Sequence, residues 1–481
     1  MSEKTTGISE DWLSLWLGLF IFVLSLGVFV GLDFLGWGWK VSVWTDITRS
    51  MGPVSKELKS LSGLSALFLT YLFFMFIMGI GARAMKVDLA RFQVAFTLVF
   101  LISMVCWVLG HYAYVAATPD KLQKLGIGWS MNLTGEAGYI LALIVGLIVG
   151  NFFPGFSDTL KEATRPELYI KTAIVIMGAG LGVKAAEALG LASAVLFRGL
   201  CAIVEAYLIY WAVVYFISRK YFKFSKEWAA PLASGISICG VSAAIATGGA
   251  IRARPVVPIM VSSLVVIFAV VELLLLPFLA QVALWTEPMV AGAWMGLAVK
   301  TDGAAVASGA IVDGLIRAKA MAEAGINYKE GWILMTTTTV KVFIDVFIGI
   351  WAFVLAIIWC AKIECKPGEK VRVREIWERF PKFVLGYALT FIIFLIICAS
   401  TPALIKTAKI ATSESNVFRQ LFFAMTFFTI GVVSNFKKLW EEGIGRLAVV
   451  YLVCLFGFII WVGLAISWIF FHGVTPPIIG G

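Results

Sequence analysis

Eleven apolar runs divide this 481-residue chain, at 12–32, 62–82, 93–115, 137–153, 168–183, 199–217, 257–280, 332–361, 383–400, 419–433 and 447–471, and they constrain it more than any motif does. The hydrocarbon core of a bilayer is about 30 Å thick, so runs of this kind are membrane spans. Backbone groups find no water there, which leaves helices as the structure these runs can form. With 60% hydrophobic and 14% charged residues, the expected fold is an all-α polytopic membrane protein of about eleven transmembrane helices. The first run is longer than the core of a signal peptide and no cleavage site follows it, so it is expected to remain as an anchor.

Two other segments, 229–251 and 291–312, are rich in Gly, Ser and Ala and carry matching hexads, Ala243-Ala244-Ile245-Ala246-Thr247-Gly248 and Ala304-Ala305-Val306-Ala307-Ser308-Gly309. Paired small-residue interruptions are how secondary transporters break helices at mid-membrane and build a site from the exposed ends. The basic residues decide how the segments sit. Arg83, Lys86 and Arg91 share one connection, Arg219, Lys220, Lys223 and Lys226 a second, and Lys362, Lys366, Lys370, Arg372, Arg374, Arg379 and Lys382 a third. All three are expected to be cytoplasmic. The connection 281–290 and the tail after Phe471 carry no Lys or Arg and are expected outside.

A complete crossing by 229–251 would place Arg252 and Arg254 outside and invert that bias. A hairpin entering and leaving on the cytoplasmic side restores it, and the same reasoning makes 291–312 a hairpin dipping from the outer side. One fully crossing broken helix per half is the alternative. The N-terminus is then cytoplasmic and the C-terminus outside, in the cell inner membrane. The run Ile176 to Lys184 has the texture of Phe427 to Lys437, a helix closing on small residues before a basic one, which supports inverted repeats, although the mates follow a different order in the two halves. The expected organisation is 1–136 as extra spans for scaffolding or homodimer contacts, 137–290 as a first repeat with the broken segment 229–251, and 291–481 as a second with 291–312.

An intramembrane charge costs at least about 2.5–3.5 kcal/mol, so Lys300, Asp302, Lys341 and Asp345 point to function. Lys300 and Asp302 flank the second tip, while Lys341 and Asp345 share a helix face at i,i+4. An oxyanion needs donors to replace its hydration, and helix N-termini with small or hydroxyl residues supply them. The candidate substrate-binding residues are therefore Ser237, Cys239, Gly240 and Ser242 in the first segment, and Lys300, Thr301, Gly303 and Lys341. Asp302, Asp345 and Glu205 are the candidates for carrying a coupling proton. Glu272 is, like Glu205, an intramembrane acid, with a position near the outer interface before Pro277 as the alternative, and His111 sits at a span end. Thr336 to Thr339 either line a polar path or bond back to their own helix.

The stretch Gly235-Ile236-Ser237-Ile238-Cys239-Gly240-Val241-Ser242-Ala243-Ala244, with Ile251-Arg252-Ala253-Arg254 after it, resembles the signature segment of the YeiH-like sulfate exporter family. The helix end Gly146-Leu147-Ile148-Val149-Gly150-Asn151-Phe152-Phe153-Pro154 and the Lys184 region are similar to it too. The resemblance runs roughly from residue 137 to the C-terminus and implies a small oxyanion, sulfate or sulfonate-like, as substrate. That family is distantly similar to the cation/proton antiporter and bile-acid symporter group, which implies inverted repeats and interrupted helices that cross. Where the family usually carries a His-Glu pair, this chain has Val299-Lys300-Thr301-Asp302-Gly303, and the first 136 residues lie outside the family pattern.

Seven cysteines without metal-ligand spacing and only two histidines, His111 and His472, give no nucleophile or metal constellation, so no enzyme and no cofactor is expected. The net charge of +10 falls in the connections, where it sets topology and not nucleic-acid binding. Two inverted elements within one chain favour alternating access over a channel. The expected function is a secondary active transporter of a small oxyanion, coupled to H+ or Na+, with a cation/proton antiporter or a small organic anion carrier as the alternative.

Overall fold

A computed structural model describes residues 7–117, 121–131, 133, 135, 137–187, 189–254, 256–362, 377, 381–434 and 445–479. Lys366, Lys370, Arg372, Arg374 and Arg379 of the third basic loop, and Asn435 to Lys437 of the second echo, lie outside the described residues.

The described chain is helical apart from one short antiparallel ribbon, β1 (Trp39–Val41) with β2 (Met51–Pro53). Among the described residues, ten helices are long and apolar enough to cross a membrane: α1 (Glu10–Val30), α2 (Gly63–Ala84), α3 (Leu89–Gly110), α5 (Pro166–Glu187), α6 (Leu189–Lys220), α9 (Val256–Ala283), α12 (Trp332–Trp359), α13 (Lys382–Ser400), α14 (Pro402–Val433) and α15 (Gly445–Phe471). The eleventh expected run is α4 (Ala137–Phe152), which bends by 117° into Pro154–Ala163. Side-chain caps mark several starts: Ser9 accepts from Trp12 N, Ser62 from Ser65 N, and Asp88 from Ala90 and Arg91 N.

The two small-residue segments are hairpins. α7 (Lys226–Ser237) and α8 (Gly240–Ala250) run side by side, since Thr247 Oγ1 lies 2.7 Å from Ser234 Oγ and Arg254 N donates to Glu227 at 2.8 Å. In the second hairpin, α10 (Pro288–Ala298) and α11 (Asp302–Ala324) both reach Thr337 of α12. Thr337 donates to Gly292 O at 2.7 Å, and a Cβ on Gly309 would stand 2.6 Å from its hydroxyl. The first hairpin opens at the N-terminal end of α9 and the second at its C-terminal end. α9 has 28 residues and so spans about 42 Å. The tips meet beside its middle, where Val265 faces Gly240 and Glu272 accepts from Lys300 N at 2.9 Å.

The helices fall into two compact units, 7–192 with 382–433, and 193–381 with 434–479. These interleave along the chain instead of following consecutive segments. In the first unit α13 packs on α5 as α4 packs on α14. In the second, α6 packs on α7 as α15 packs on α10, and α8 on α12 as α11 on α9. α6 and α15 each contain one π-helical stretch, Glu205–Tyr210 and Leu455–Ile459. These pairings give the order α4, α5, α6, hairpin, α9 in one repeat and α13, α14, α15, hairpin, α12 in the other. The second order is cyclically permuted along the chain, which accounts for the mismatch between the two echoes. Where a turn joins α6 to α7, the tail after α15 instead reaches the start of α10 through Gly473 N to Glu287 Oε2 and His472 Nδ1 to Glu287 Oε1, each at 2.9 Å.

Close backbone contact holds α4 to α14. A Cβ on Gly146 would lie 2.1 Å from Phe428 O, whereas one on Gly155 meets nothing within 4 Å. Gly146→Ala is therefore expected to destabilise the purified protein by about 1–3 kcal/mol of overpacking, lowering its melting temperature, while Gly155→Ala leaves it unchanged or raised. Equal melting of the two variants would contradict this packing.

Candidate functional site

The site is built where both hairpins lose helical geometry. α7 ends at Ile238, and Cys239 is extended before α8 begins. α10 ends at Val299, also extended, and Thr301 caps α11 by accepting from Ala304 N at 3.2 Å. Each break strips peptide groups of their helical partners, and the tips repair one another: Gly240 N donates to Lys300 O at 2.7 Å. A larger residue at 240 would force the tips to shift, because an added Cβ would stand 2.4 Å from the Val265 side chain and 2.9 Å from that of Thr301.

Lys341, from the middle of α12, is buried against this junction. Its Nζ donates to Ile238 O at 2.9 Å and Lys300 O at 3.4 Å, and lies 3.7 Å from Asp302 Oδ1. The same carboxylate oxygen accepts from Cys239 Sγ at 2.6 Å. One ammonium thus binds carbonyls from both tips, where the helix ends carry partial negative charge. Asp345 stands one turn along α12, and ligand atoms of Cys239, Asp302 and Asp345 all lie within 4.8 Å of one another. Lys341 reaches across to Asp302 of the opposite hairpin, a contact that the i,i+4 spacing with Asp345 did not disclose. Among the described residues, Asp302 Oδ2 and the Ser237 hydroxyl are buried without a hydrogen-bond partner.

Lys300 turns the other way. Its Nζ donates to Leu297 O and lies 4.4 Å above the Tyr210 ring, in the π-helical stretch that also carries Glu205. Tyr210 OH donates to Ile459 O at the end of the matching π stretch, at 2.9 Å. For Glu272 the sequence left an intramembrane position and one near the outer interface open. It is buried beside the tips, accepting from Lys300 N and from Tyr451 OH at 3.0 Å, because its position near the middle of α9 places it at their depth.

The structure thus brings Cys239, Gly240, Lys300, Thr301, Asp302 and Lys341 together, with Ser237 and Gly303 one turn or less from the breaks. The backbone of Ser242 lies in the first turn of α8. Thr336 and Thr338 each donate to a carbonyl four residues back, and Thr337 donates to Gly292 O of α10 at 2.7 Å with Ile333 O farther off at 3.2 Å, so three of these four hydroxyls are engaged and do not form an open path. His111 is buried, with Nδ1 2.7 Å from Trp107 O. Sequence reasoning missed Tyr451, Tyr210 and Asp313. The last accepts from Gly331 and Ile333 N at the start of α12 and pairs with Arg317 at 2.8 Å, and its i,i+4 spacing to Arg317 was the available signal.

Removing Lys341 alone strands the Asp302 charge, and breaking a buried pair in this way costs about 3–5 kcal/mol. Lys341→Met and Asp302→Leu are each expected to lower the melting temperature steeply, with the double variant recovering much of the loss. Additive losses in that double-mutant cycle would show that the two side chains do not interact.

The family model described as conserved hypothetical protein 698 matches residues 100–450. A UPF0324 membrane protein of Nitrosomonas europaea is 43% identical over 475 residues, covering 98% of this chain and 97% of that one. An uncharacterized protein of Archaeoglobus fulgidus is 52% identical over 165 residues, 30% of this chain and 88% of its own length. A UPF0324 membrane protein of Nitratidesulfovibrio vulgaris is 29% identical over 413 residues, 83% of this chain and 63% of that one. No solved structure matches. With a family model covering most of its length and a near full-length relative at this identity, the chain belongs to the UPF0324 family of integral membrane proteins.

Proposed function

We propose that this protein is a secondary active transporter that moves a small oxyanion, sulfate or sulfonate-like, across the inner membrane by alternating access. The observation that carries the reading is the junction of two re-entrant tips, opening at opposite ends of α9 and joined by Gly240 N to Lys300 O, with Lys341 buried between them. Such a junction offers a ligand two gates and one shared floor. The Ser237 hydroxyl and the first turn of α8 supply donors, and Lys300 and Lys341 supply positive charge. The resemblance of 235–244 to the YeiH-like signature supports the choice of substrate.

The charge balance supports proton coupling. Two lysines, Lys300 and Lys341, stand among four buried carboxyls, Glu205, Glu272, Asp302 and Asp345, so the fully ionised cluster carries 2 − 4 = −2. An incoming dianion makes this −4 unless protons accompany it, and uncompensated charge at this depth is costly. Anion binding therefore draws protons onto the carboxyls, and Asp302 and Asp345 are the natural acceptors beside Lys341. In proteoliposomes, sulfate uptake is expected to saturate, to show counterflow, and to rise as the pH on the substrate side falls. Lys300→Ala and Lys341→Gln should each abolish it. Undiminished uptake by both variants would remove the tips from the mechanism.

One observation favours cation/proton exchange as a second reading: Cys239, Asp302 and Asp345 offer a thiol and two carboxylates within 4.8 Å, around an ammonium that a cation would displace. Sodium-dependent proton release from vesicles without any anion flux would select that reading. The distribution of basic residues places the first hairpin's mouth in the cytoplasm. Cysteines introduced at Lys226 and Glu287 should react with impermeant maleimide from the cytoplasmic and outer faces respectively, and labelling of both from one face would contradict the opposed gates.

A further inference from the structure

The open end of the first hairpin holds a cavity that the transport reading does not use. Arg219 at the end of α6, Lys226 and Glu227 at the start of α7, and Arg252 and Arg254 just past α8 line about 520 Å³ of space, with the buried Trp359 of α12 as an apolar wall. Among the described residues, four cations share this cavity with one carboxylate. That carboxylate is already engaged: Arg254 donates to Glu227 through N at 2.8 Å and Nε at 3.0 Å, and the pairing holds the Glu227 carboxyl below the ordinary range. The cavity's balance is 4 − 1 = +3.

A cytoplasmic connection is expected to be basic for topology alone. Topology requires neither a concave arrangement nor backbone strain, and both are present. Arg252 follows the C-cap of α8 with φ +56°, the left-handed conformation that glycine adopts freely and other residues do not. In this conformation Arg252 stands at the open end of the hairpin and lines the cavity. Lys226 stands across the mouth of the same hairpin.

We infer that this cavity binds a tetrahedral oxyanion group, with Arg252 and Lys226 as its principal cationic partners. The group is either a free ion such as sulfate or phosphate, or the phosphate of an anionic lipid headgroup, since both present the same oxygens to guanidinium and ammonium donors. The site is separate from the hairpin tips.

The test uses the full chain in nanodiscs and follows thermal unfolding. One arm has neutral phosphatidylcholine with sulfate replacing chloride at matched ionic strength, and the other has phosphatidylglycerol in chloride alone. Protection in the first arm identifies a free ion and protection in the second a lipid headgroup. Arg252→Gly relieves the left-handed strain, so it should fold at least as well as the parent yet need about tenfold more ligand for equal protection, as should Lys226→Gln. Glu227→Gln, which removes the cavity's carboxylate, should need less. Protection that none of these variants changes, or no protection in either arm, overturns the inference. An anion held only at the tips would be lost in Lys341→Gln and indifferent to Arg252→Gly, so this result and the carrier reading fail separately.

Discussion

The hydrogen bond from Gly240 to the carbonyl of Lys300 is the contact on which the second unit depends. Two segments that abandon helical geometry inside a bilayer leave peptide groups that water cannot reach, and each unmade bond there costs several kcal/mol. This bond spends one tip's orphan donor on the other tip's orphan acceptor. Lys341 then takes the remaining carbonyl of Ile238 and shares that of Lys300, so a single ammonium offsets the negative ends of α7 and α10 together. Its own desolvation is compensated by Asp302, which in turn holds the Cys239 thiol. Under the transport proposal, a ligand at the tips would act on the same few bonds that keep the tips folded.

The cyclic permutation of the second repeat has a mechanical consequence. In the first repeat the chain passes directly from α6 into its hairpin. In the second, α15 lies at the end of the chain, and its tail substitutes side-chain contacts at Glu287 and a backbone bond from Lys329 N to Pro477 O at 2.7 Å for the missing peptide link. The first hairpin is thus joined by peptide links to α6 and α9 and the second to α9 and α12, and the link that the first makes covalently to α6 is made by the second to α15 through polar contacts.

Much of the fold was legible because membrane spans are written in composition. All eleven apolar runs correspond to helices, and counting Lys and Arg in 83–91, 219–226, 252–254 and 362–382 against none in 281–290 favoured hairpins with opposed mouths for both small-residue segments over fully crossing broken helices. The site was half legible. Lys300, Asp302 and Lys341 stood out as charges in apolar surroundings, but partner choice lies in three-dimensional crossing, so Lys341 reaching Asp302 of another element left no trace in spacing. The position of Glu272 was left open because a nearby run of leucines and Pro277 resembles a span end, whereas α9 continues through Pro277 to Ala283. Tyr210 and Tyr451 were invisible among the chain's many aromatics, since their roles come from hydroxyls pointing inward at π-helical or mid-span positions.

The most direct test of the central claim is a cross-link between the two tips. In a chain whose other cysteines are replaced by alanine, Thr301→Cys adds a second thiol beside the native Cys239. Oxidation followed by proteolytic mapping should join the peptide containing Cys239 to the one containing position 301 within a single chain. Two thiols that both react with a membrane-permeant maleimide yet never form that link would contradict a junction of the tips inside the membrane.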